Sequence, residues 1–359
     1  MNLLAYLFPT LALLGTLSLS LMLMPVWLQW VQRFQLVDQP GGRKAHVRPT
    51  PTGGGIAILL AWLGIQLSGL GTGDAPLLPL WFGAGLLALA GLQDDLQEMG
   101  PGRKFLFQFV AAGLLVAQGG TLPLPGPAWL SYVITFVFVV GLSNAYNLID
   151  GIDGLAGSIG LVAAGGLGLA LLSQGDLAGA SAALSLAGGL LGFLRYNRAP
   201  AQVFMGDTGA LPIGFLLAGL SIRLLQQAPE ALGSLELLLV AALLLVPIMD
   251  TTQVMILRIS RGQSPFHPDR EHLHHLLLSL GNTHRSAVRW LVGAQASLVG
   301  MALLLHPLGL SWSLALMILP AGLFTLSLRQ LSRAAARGQR WQPLKPLSSL
   351  VSALSSYLL

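Results

Sequence analysis

The chain has 359 residues, of which 54% are hydrophobic and only 9% are charged. This composition excludes a water-soluble protein, because such a protein needs far more charge to cover its surface. Cysteine is absent, which excludes disulfides and a thiolate nucleophile, and the formal net charge of +5 is informative only through where the basic residues stand.

Apolar runs recur along the whole chain. A helix needs roughly 17 to 25 apolar residues to cross a hydrocarbon core of about 30 Å. Lipid offers no partner to the backbone of an open sheet, so these runs predict helices. We predict an all-α, polytopic integral membrane protein with about eleven transmembrane helices, ten being the alternative count. The predicted spans are residues 3–27, 54–71, 77–93, 105–120, 128–146, 155–173, 177–195, 209–226, 235–257, 288–306 and 311–328.

Basic residues indicate the orientation of these helices. An odd number of spans puts the two termini on opposite sides and sorts the loops into two sets. Nearly all Lys and Arg residues fall in one set, and only Arg223 lies near the other. Because cytoplasmic loops retain Lys and Arg, we predict an N-terminus outside and a C-terminus in the cytoplasm. The predicted cytoplasmic loops are residues 28–53, 94–104, 144–155, 196–208 and 258–287.

Two further boundaries follow from this orientation. Residues 1–328 are predicted to form a single transmembrane domain, and residues 329–359 a basic cytoplasmic tail that lies near anionic lipid. The first cytoplasmic loop carries Lys44 and His46 and leads through glycines into the second span. Glycines before a helix can present backbone N–H groups to an anion, but this pattern is common, and an ordinary basic juxtamembrane loop explains the basic residues better.

Acidic and amide side chains concentrate at the predicted cytoplasmic ends of the spans. They occur in "GLQDDL", in "NAYNLIDGIDGLAG" and in "FMGDTGAL". A single aspartate there can be a helix cap, but five in three loops predict that they share a cation, since carboxylates at a membrane edge are costly alone. Mg²⁺ is the economical partner, because it takes one or two carboxylates together with phosphate oxygens and water. The residues are Asp94, Asp95, Asn144, Asn147, Asp150, Asp153 and Asp207.

The longest cytoplasmic loop contains "SPFHPDREHLHHLLLSLGNTHR". We predict that Asp269 caps a short amphipathic helix that ends at Gly281. His272 and His275 are three residues apart, which is not the spacing of a zinc-protease helix. Zinc is therefore not favoured. The histidines and Arg270 suit phosphate oxygens, while a helix lying on the membrane surface is the alternative.

Asp250 stands apart, about two turns inside the ninth predicted span. A buried acid at that depth predicts either a functional group or an interhelical hydrogen bond, and the sequence favours neither. Asp250 is therefore left outside the predicted site.

Taken in order, these motifs resemble the polyprenyl-phosphate N-acetylhexosamine-1-phosphate transferase family, and in particular its branch that initiates glycans. The resemblance runs from about residue 38 to 290. It is carried by Asp94 and Asp95 with the following Lys104, by "NAYNLIDGIDGLAG", by "YNRAPAQVFMGDTGAL" and by "PDREHLHHLLLSLG".

The resemblance implies transfer of a sugar 1-phosphate from a UDP-N-acetylhexosamine to undecaprenyl or another polyprenyl phosphate, with release of UMP. It implies Mg²⁺ as the cofactor, Mn²⁺ being the alternative, and an active site on the cytoplasmic face of the cell membrane. "HLHH" after "PDRE" is similar to the branch that uses simple N-acetylhexosamines, so UDP-GlcNAc is the first choice of donor. No nucleic acid partner is expected, and a homodimer stays open.

Residue roles carry over by position in the motifs. The implied metal ligands are Asp207, Asn147 and Asp95. The implied catalytic residues are Asp94, Asp95, Asp150, Asp153, His274 and His275. The implied substrate-binding residues are Lys44, His46, Lys104, Asn144, Asn147, Asn197, Phe204, Arg270 and His272, with Phe204 stacking on uracil. The chain departs from the usual pattern at Gln202, where a basic residue is common, and at Ala210, where a serine is common.

Three other functions compete with this one. A muramoyl-pentapeptide phosphotransferase is the nearest, although it usually has three consecutive histidines. An intramembrane prenyltransferase also pairs aspartates with Mg²⁺, but it does not explain the histidine helix. A transporter would place its acids near the middle of the bilayer, whereas most of these lie at one edge.

Overall fold

The computed structural model describes residues 3–33, 37–38, 49–70, 77–228, 235–267 and 269–337. The described chain is predominantly helical. The exception is a short antiparallel pair of strands, β1 (Val37–Asp38) and β2 (Thr50–Pro51), in which Val37 lies opposite Pro51 and Asp38 opposite Thr50. This pair, which the all-α prediction did not include, joins the two ends of the first predicted cytoplasmic loop.

The helices follow one another along the chain with short connections. In chain order they are α1 (Leu3–Arg33), α2 (Gly55–Leu67), α3 (Leu78–Leu96), α4 (Pro101–Ala117), α5 (Ala128–Ile149), α6 (Leu155–Ser173), α7 (Leu177–Asn197), α8 (Asp207–Gln227), α9 (Leu235–Ser260), α10 (Leu273–Ser279), α11 (His284–Leu305) and α12 (Leu310–Ala336), with a 3₁₀ turn at His306–Leu308.

Each predicted span coincides with one of these helices, and α10 is the predicted short helix of the histidine loop. Within the described residues, eight helices are long and apolar enough to cross a membrane, namely α1, α5, α6, α7, α8, α9, α11 and α12. The helices α2 and α4 have only 13 and 17 residues, so they reach about 20 and 26 Å along their axes. The chain is thus a multi-pass membrane protein, and the count of eleven spans stays a prediction.

Helices α7 and α8 form the centre of the bundle. Helices α1 and α6 pack on α7, and α3 and α5 pack on α8. The sequence of α7, "LAGASAALSLAGGLLGFLRYN", is rich in Ala, Gly and Ser. Small side chains let neighbouring backbones approach closely, which is how helices associate without a hydrophobic driving force in lipid. Because α3, α5 and α8 pack together, their ends meet at one edge of the bundle.

Helix α12 continues past the predicted start of the tail. It ends at Ala336, so the predicted boundary between residues 328 and 329 falls inside a helix. Arg329, which was expected in a solvated tail, is only 7% exposed, and Ser332 Oγ lies 2.7 Å from Ser279 Oγ of α10. This end of α12 therefore packs against the histidine loop. Residues 338–359 lie outside the described residues.

Candidate active site

An ammonium group bridges two carboxylates where α3, α4 and α8 meet. Asp94 lies in the last turn of α3, Lys104 lies in the first turn of α4, and Asp207 opens α8. Lys104 Nζ donates to Asp94 Oδ2 and to Asp207 Oδ2, each at 2.6 Å. Asp94 Oδ1 accepts the backbone N–H of Met99 at 2.7 Å, which fixes the turn between α3 and α4. The first and third acidic motifs are thereby brought together, as predicted.

Asp95 has a different environment from its neighbour. Its Oδ1 accepts the backbone N–H of Asp207 at 3.0 Å, and its Oδ2 accepts the backbone N–H and the hydroxyl of Thr208 at 3.2 and 2.5 Å. The N-cap position of α8 is Gly206, which has no side chain to satisfy these donors. Asp95 therefore caps α8 from another helix, and its negative charge faces the positive end of the α8 dipole.

Close backbone contact makes this cap geometry feasible. A Cβ built on Gly91 of α3 would lie 2.3 Å from the carbonyl oxygen of Asp207, so only glycine lets α3 approach the start of α8. The glycine entry to α2 packs against the same segment. Gly54 N donates to Phe204 O at 2.9 Å and Gly55 N to Met205 O at 3.0 Å. These N–H groups are used within the protein, so the structure favours the ordinary basic loop over an anion site here.

The loop after α5 brings the second acidic motif to the same place. Asn147 Nδ2 donates to Asp207 Oδ2 at 3.3 Å, and Asn144 lies one turn earlier on α5. Asp150 follows the last residue of α5, where the loop brings its carboxyl near Asp207 and Asp95. Burial raises the pKa of the Asp150 carboxyl well above its ordinary value, and the carboxylates of Asp207 and Asp95 raise that pKa further. The raised pKa favours the neutral carboxyl of Asp150, since another negative charge beside Asp207 and Asp95 is repelled.

Asn197 and Asp153 connect loops. Asn197 is 2% exposed, and its Oδ1 accepts Gly154 N at 2.9 Å while its Nδ2 donates to Val203 O at 2.8 Å. Asp153 Oδ2 accepts Ala201 N at 3.1 Å. Both side chains tie the loop after α5 to the loop before α8. Asn197, implied as a substrate-binding residue, has both polar atoms engaged by backbone, so in this structure it positions loops.

The histidine loop is held by α9. Asp250 is 2% exposed; its Oδ1 accepts Leu273 N at 2.8 Å and its Oδ2 lies 2.9 Å from His272 Nδ1. Asp250 therefore caps α10, and the predicted cap Asp269 was wrong because α10 begins only at Leu273. Asp269 instead accepts Arg258 Nε at 2.7 Å, and that ion pair lowers the pKa of the Asp269 carboxyl.

His274 is buried beneath this loop. It is 2% exposed, and a Cβ built on Gly151 would lie 2.1 Å from His274 Nε2, so the ring lies directly on the "DGIDG" turn. Burial lowers the pKa of His274 to about 3, with Asp250 opposing and His275, His272 and His284 adding to that shift. Burial likewise lowers the pKa of the half-buried His275. A neutral, buried His274 does not act as a cation for phosphate.

Four predicted substrate-binding residues remain. Phe204 lies in the loop before α8, where its backbone N donates to Pro51 O at 2.8 Å. Arg270 is exposed in the histidine loop. Lys44 and His46 lie outside the described residues. In the part of the chain that the structure describes, no three His, Asp or Glu side chains converge into a metal-ligand cluster of their own.

Sequence reasoning missed two residues that build the site. Thr208 follows Asp207 in "GDTGAL" and binds Asp95 through both its backbone and its hydroxyl. Asp250 was noticed as a buried acid but left out of the site. Its position about three turns before the end of α9 was the only signal, and that signal does not show that the loop folds back to meet it.

Residues 77–225 match the family model described as glycosyl transferase family 4. The "Probable undecaprenyl-phosphate N-acetylglucosaminyl 1-phosphate transferase" of Bacillus subtilis is 31% identical over 327 residues, covering 88% of this chain and 86% of the relative.

Two further relatives have the same kind of name. The decaprenyl-phosphate N-acetylglucosaminephosphotransferase of Mycolicibacterium smegmatis is 35% identical over 303 residues, covering 72% of this chain and 73% of the relative. The undecaprenyl-phosphate alpha-N-acetylglucosaminyl 1-phosphate transferase of Yersinia pestis is 31% identical over 268 residues, covering 70% of this chain and 72% of the relative.

Proposed function

Since this chain belongs to glycosyl transferase family 4, among its polyprenyl-phosphate N-acetylglucosamine 1-phosphate transferases, we propose that it moves N-acetylglucosamine 1-phosphate from UDP-N-acetylglucosamine to a polyprenyl phosphate. UMP is the other product. The acceptor class follows from the names of the relatives, and the nucleotide donor is what the resemblance of the sequence motifs to the family implies.

One observation carries this proposal. Asp94, Lys104 and Asp207 come from three helices and meet within hydrogen-bonding distance, with Asp95 and Asp150 beside them. Two anions, a lipid phosphate and a nucleotide diphosphate, must meet in the reaction, and phosphoryl transfer depends mainly on positioning them and stabilising their charge. An ammonium flanked by carboxylates at the ends of membrane helices suits that task.

A divalent cation fits the same residues. The carboxylates outnumber the single ammonium group, and hard oxygen donors are what Mg²⁺ prefers, usually one or two from protein and the rest from phosphate and water. Asp207 and Asp94 would hold the ion, with the amide oxygen of Asn147 beside them. Asp95 would position Asp207 instead, because its two oxygens accept three hydrogen bonds from the first turn of α8, whereas the oxygens of Asp94 accept one each. When bound, Mg²⁺, or Mn²⁺ in its place, would neutralise diphosphate charge.

The protein side chains have a limited chemical task. The lipid phosphate has a second pKa near ~6 and is largely a dianion at neutral pH, so it hardly needs a base. Its oxygen forms a bond to the β-phosphorus, and the bond from that phosphorus to the oxygen of UMP breaks. Lys104 binds phosphate oxygens, and Asp94 orients the attacking group. The competing route is a covalent aspartyl-phosphate on Asp94 or Asp95, which a trapped sugar-phosphate adduct would reveal.

The membrane arrangement belongs to the same proposal. Eleven spans with the N-terminus outside would place the Asp94, Asp150 and Asp207 ends of α3, α5 and α8 on the cytoplasmic face of the cell membrane, where UDP-sugars are available. The basic residues at those helix ends support this orientation.

The test is turnover by the purified protein with Mg²⁺ and undecaprenyl phosphate, measuring UMP release. The donors are UDP-N-acetylglucosamine, UDP-N-acetylgalactosamine, UDP-glucose and UDP-N-acetylmuramoyl-pentapeptide. We expect UDP-N-acetylglucosamine to be used at least ten times faster than the others, and chelation to abolish release. Preference for the pentapeptide donor, or no release with any donor, would overturn the proposal.

A matched pair of variants locates the activity. Asp207→Asn is expected to lose at least 100-fold in kcat. Asp176→Asn changes another buried carboxylate, which binds Arg223 at the opposite end of the bundle, and it is expected to retain activity within threefold.

A further inference from the structure

We infer that Asp250 is a positioning residue of the active site, which sets both the start of α10 and the orientation of the His272 ring. This inference rests on the proposed function. It concerns a residue that contacts neither of the carboxylates bridged by Lys104 and acts only through the histidine loop.

The first step is that α10 cannot form alone. It has seven residues, whereas isolated helices shorter than about 12 residues are marginal in water. Its N-cap residue, His272, makes no side-chain cap of its own. The orphan N–H of Leu273 is accepted by Asp250 Oδ1 at 2.8 Å, in a position that is 2% exposed. An N–H left unsatisfied there would cost free energy, so the carboxylate decides where α10 begins.

The second step is that the loop folds back along α9. Arg258 Nη1 donates to Pro265 O at 2.6 Å and Arg258 Nε to Asp269 Oδ2 at 2.7 Å, which anchors the first half of the loop near the end of α9. Asp250 anchors the second half two turns earlier, about 12 Å farther along the helix axis. The histidines are therefore held well back from the end of α9, and α9 fixes their depth.

The third step connects Asp250 to the acidic cluster. Asp250 Oδ2 lies 2.9 Å from His272 Nδ1, and an ionised carboxylate only accepts, so Nδ1 carries the proton. The His272 ring lies nearly parallel to that of His274, with centroids 5.9 Å apart, and His274 lies on Gly151 beside Asp150. One carboxylate thus sets a series of contacts that ends at the acidic cluster, and it leaves His272 Nε2 as the other polar atom of that ring.

Asp250→Asn separates capping from proton placement. The amide oxygen of Asn can still accept the Leu273 N–H, but its NH₂ group can only donate to His272 Nδ1, so the proton moves to Nε2. We expect this variant to keep the hydrogen-exchange protection of residues 269–281 within twofold and to lose at least tenfold in kcat, with KM for the UDP-sugar changed less than threefold. Asp250→Ala is expected to lose both protection and kcat.

The matched control is Asp176→Asn, because Asp176 is also a buried carboxylate that caps a helix, accepting Gly179 N at 3.0 Å at the start of α7. It should leave the exchange of residues 269–281 and kcat within threefold of wild type. A double variant of Asp250→Asn with His272→Gln should lose little beyond His272→Gln alone, since residues that act as one unit are not additive.

Provided that the wild-type protein turns over normally, any of three results would overturn the inference. The first is a kcat of Asp250→Asn within threefold of wild type. The second is a kcat loss in the double variant equal to the product of the two single losses, and the third is unchanged hydrogen exchange of residues 269–281 in Asp250→Ala. If the wild-type protein releases no UMP, the proposed function fails separately. The exchange of Asp250→Ala then decides whether Asp250 positions the loop.

Discussion

At the residue scale, the adjacent acids Asp94 and Asp95 have different tasks. The sequence presents them as an equivalent pair, but successive residues on a helix point about 100° apart. Asp94 faces Lys104, whereas Asp95 faces the backbone of α8. The pair therefore divides into a group that binds Lys104 and a group that holds the opposite helix.

This division predicts separable defects. Asp94→Asn should raise the Mg²⁺ concentration for half-maximal UMP release at least fivefold while the thermal midpoint changes little. Asp95→Asn should lower the free energy of unfolding by about 1 to 2 kcal/mol, the usual cost of a lost helix cap, because the amide NH₂ group cannot accept the two hydrogen bonds from Thr208. Thermal unfolding in detergent and a Mg²⁺ titration check both. The opposite pattern would contradict the structural assignment.

His274 predicts a pH effect on stability. Its pKa in the folded protein is about 3, below the ordinary 6.5, so between those values the unfolded chain binds the additional proton. This contribution to stability is therefore complete above pH 6.5 and is lost as pH falls toward 3. We expect His274→Asn to lose less of its thermal midpoint than wild type between pH 7 and pH 5. Equal losses in the two proteins would show that His274 is accessible to protons when folded.

At the element scale, the site depends on how closely α3 approaches α8. These helices meet through Gly91 on one side and the first turn of α8 on the other. The chain has 44 glycines, and nothing in the sequence around Gly91 distinguishes it from the others. Its importance follows only from the backbone that lies opposite it.

Gly91→Ala is therefore expected to push α3 away from Asp207 and to reduce kcat at least tenfold, with a lower thermal midpoint. Gly85→Ala is the matched control on the same helix, because a Cβ there meets nothing within 4 Å. It should leave kcat unchanged and stabilise the helix slightly, since alanine is the better helix former. UMP release and thermal unfolding of both variants provide the measurement. Equal activity of the two would contradict the close contact.

At the scale of the whole molecule, the unequal distribution of Lys and Arg predicts one orientation in the membrane. That orientation requires α2, α3 and α4 to cross as well as the eight helices that are long and apolar enough by themselves. Short helices inside a bundle can cross where neighbouring helices and local thinning of the bilayer accommodate them.

The chain lacks cysteine, so single cysteines can report this orientation directly. In intact cells, a membrane-impermeant maleimide should label Ala128→Cys at the start of α5, and it should label Gln97→Cys and Ala336→Cys only after lysis. All three positions are exposed in the structure. Labelling of Gln97→Cys from outside would overturn both the proposed sidedness and the count of spans.

Local patterns predicted the helices well, because lipid forces apolar runs into helices whose backbone bonds are internal. Local patterns gave the wrong cap for α10. They pointed to Asp269, which is close to α10 in sequence, whereas the N–H of Leu273 is accepted by Asp250 of α9. At Gly54 and Gly55 the sequence left an anion site open, and the structure shows their N–H groups bound to backbone carbonyls.

The sequence by itself determined the membrane-embedded helical architecture, the family and the set of acids at the ends of α3, α5 and α8, because hydropathy and motif order are properties of the linear chain. Only the tertiary structure decided what each acid does. Asp94 binds Lys104, Asp95 caps α8 and Asp250 holds the histidine loop. Those roles depend on which donor lies opposite each carboxylate, and donors supplied by distant segments become neighbours only when the helices pack.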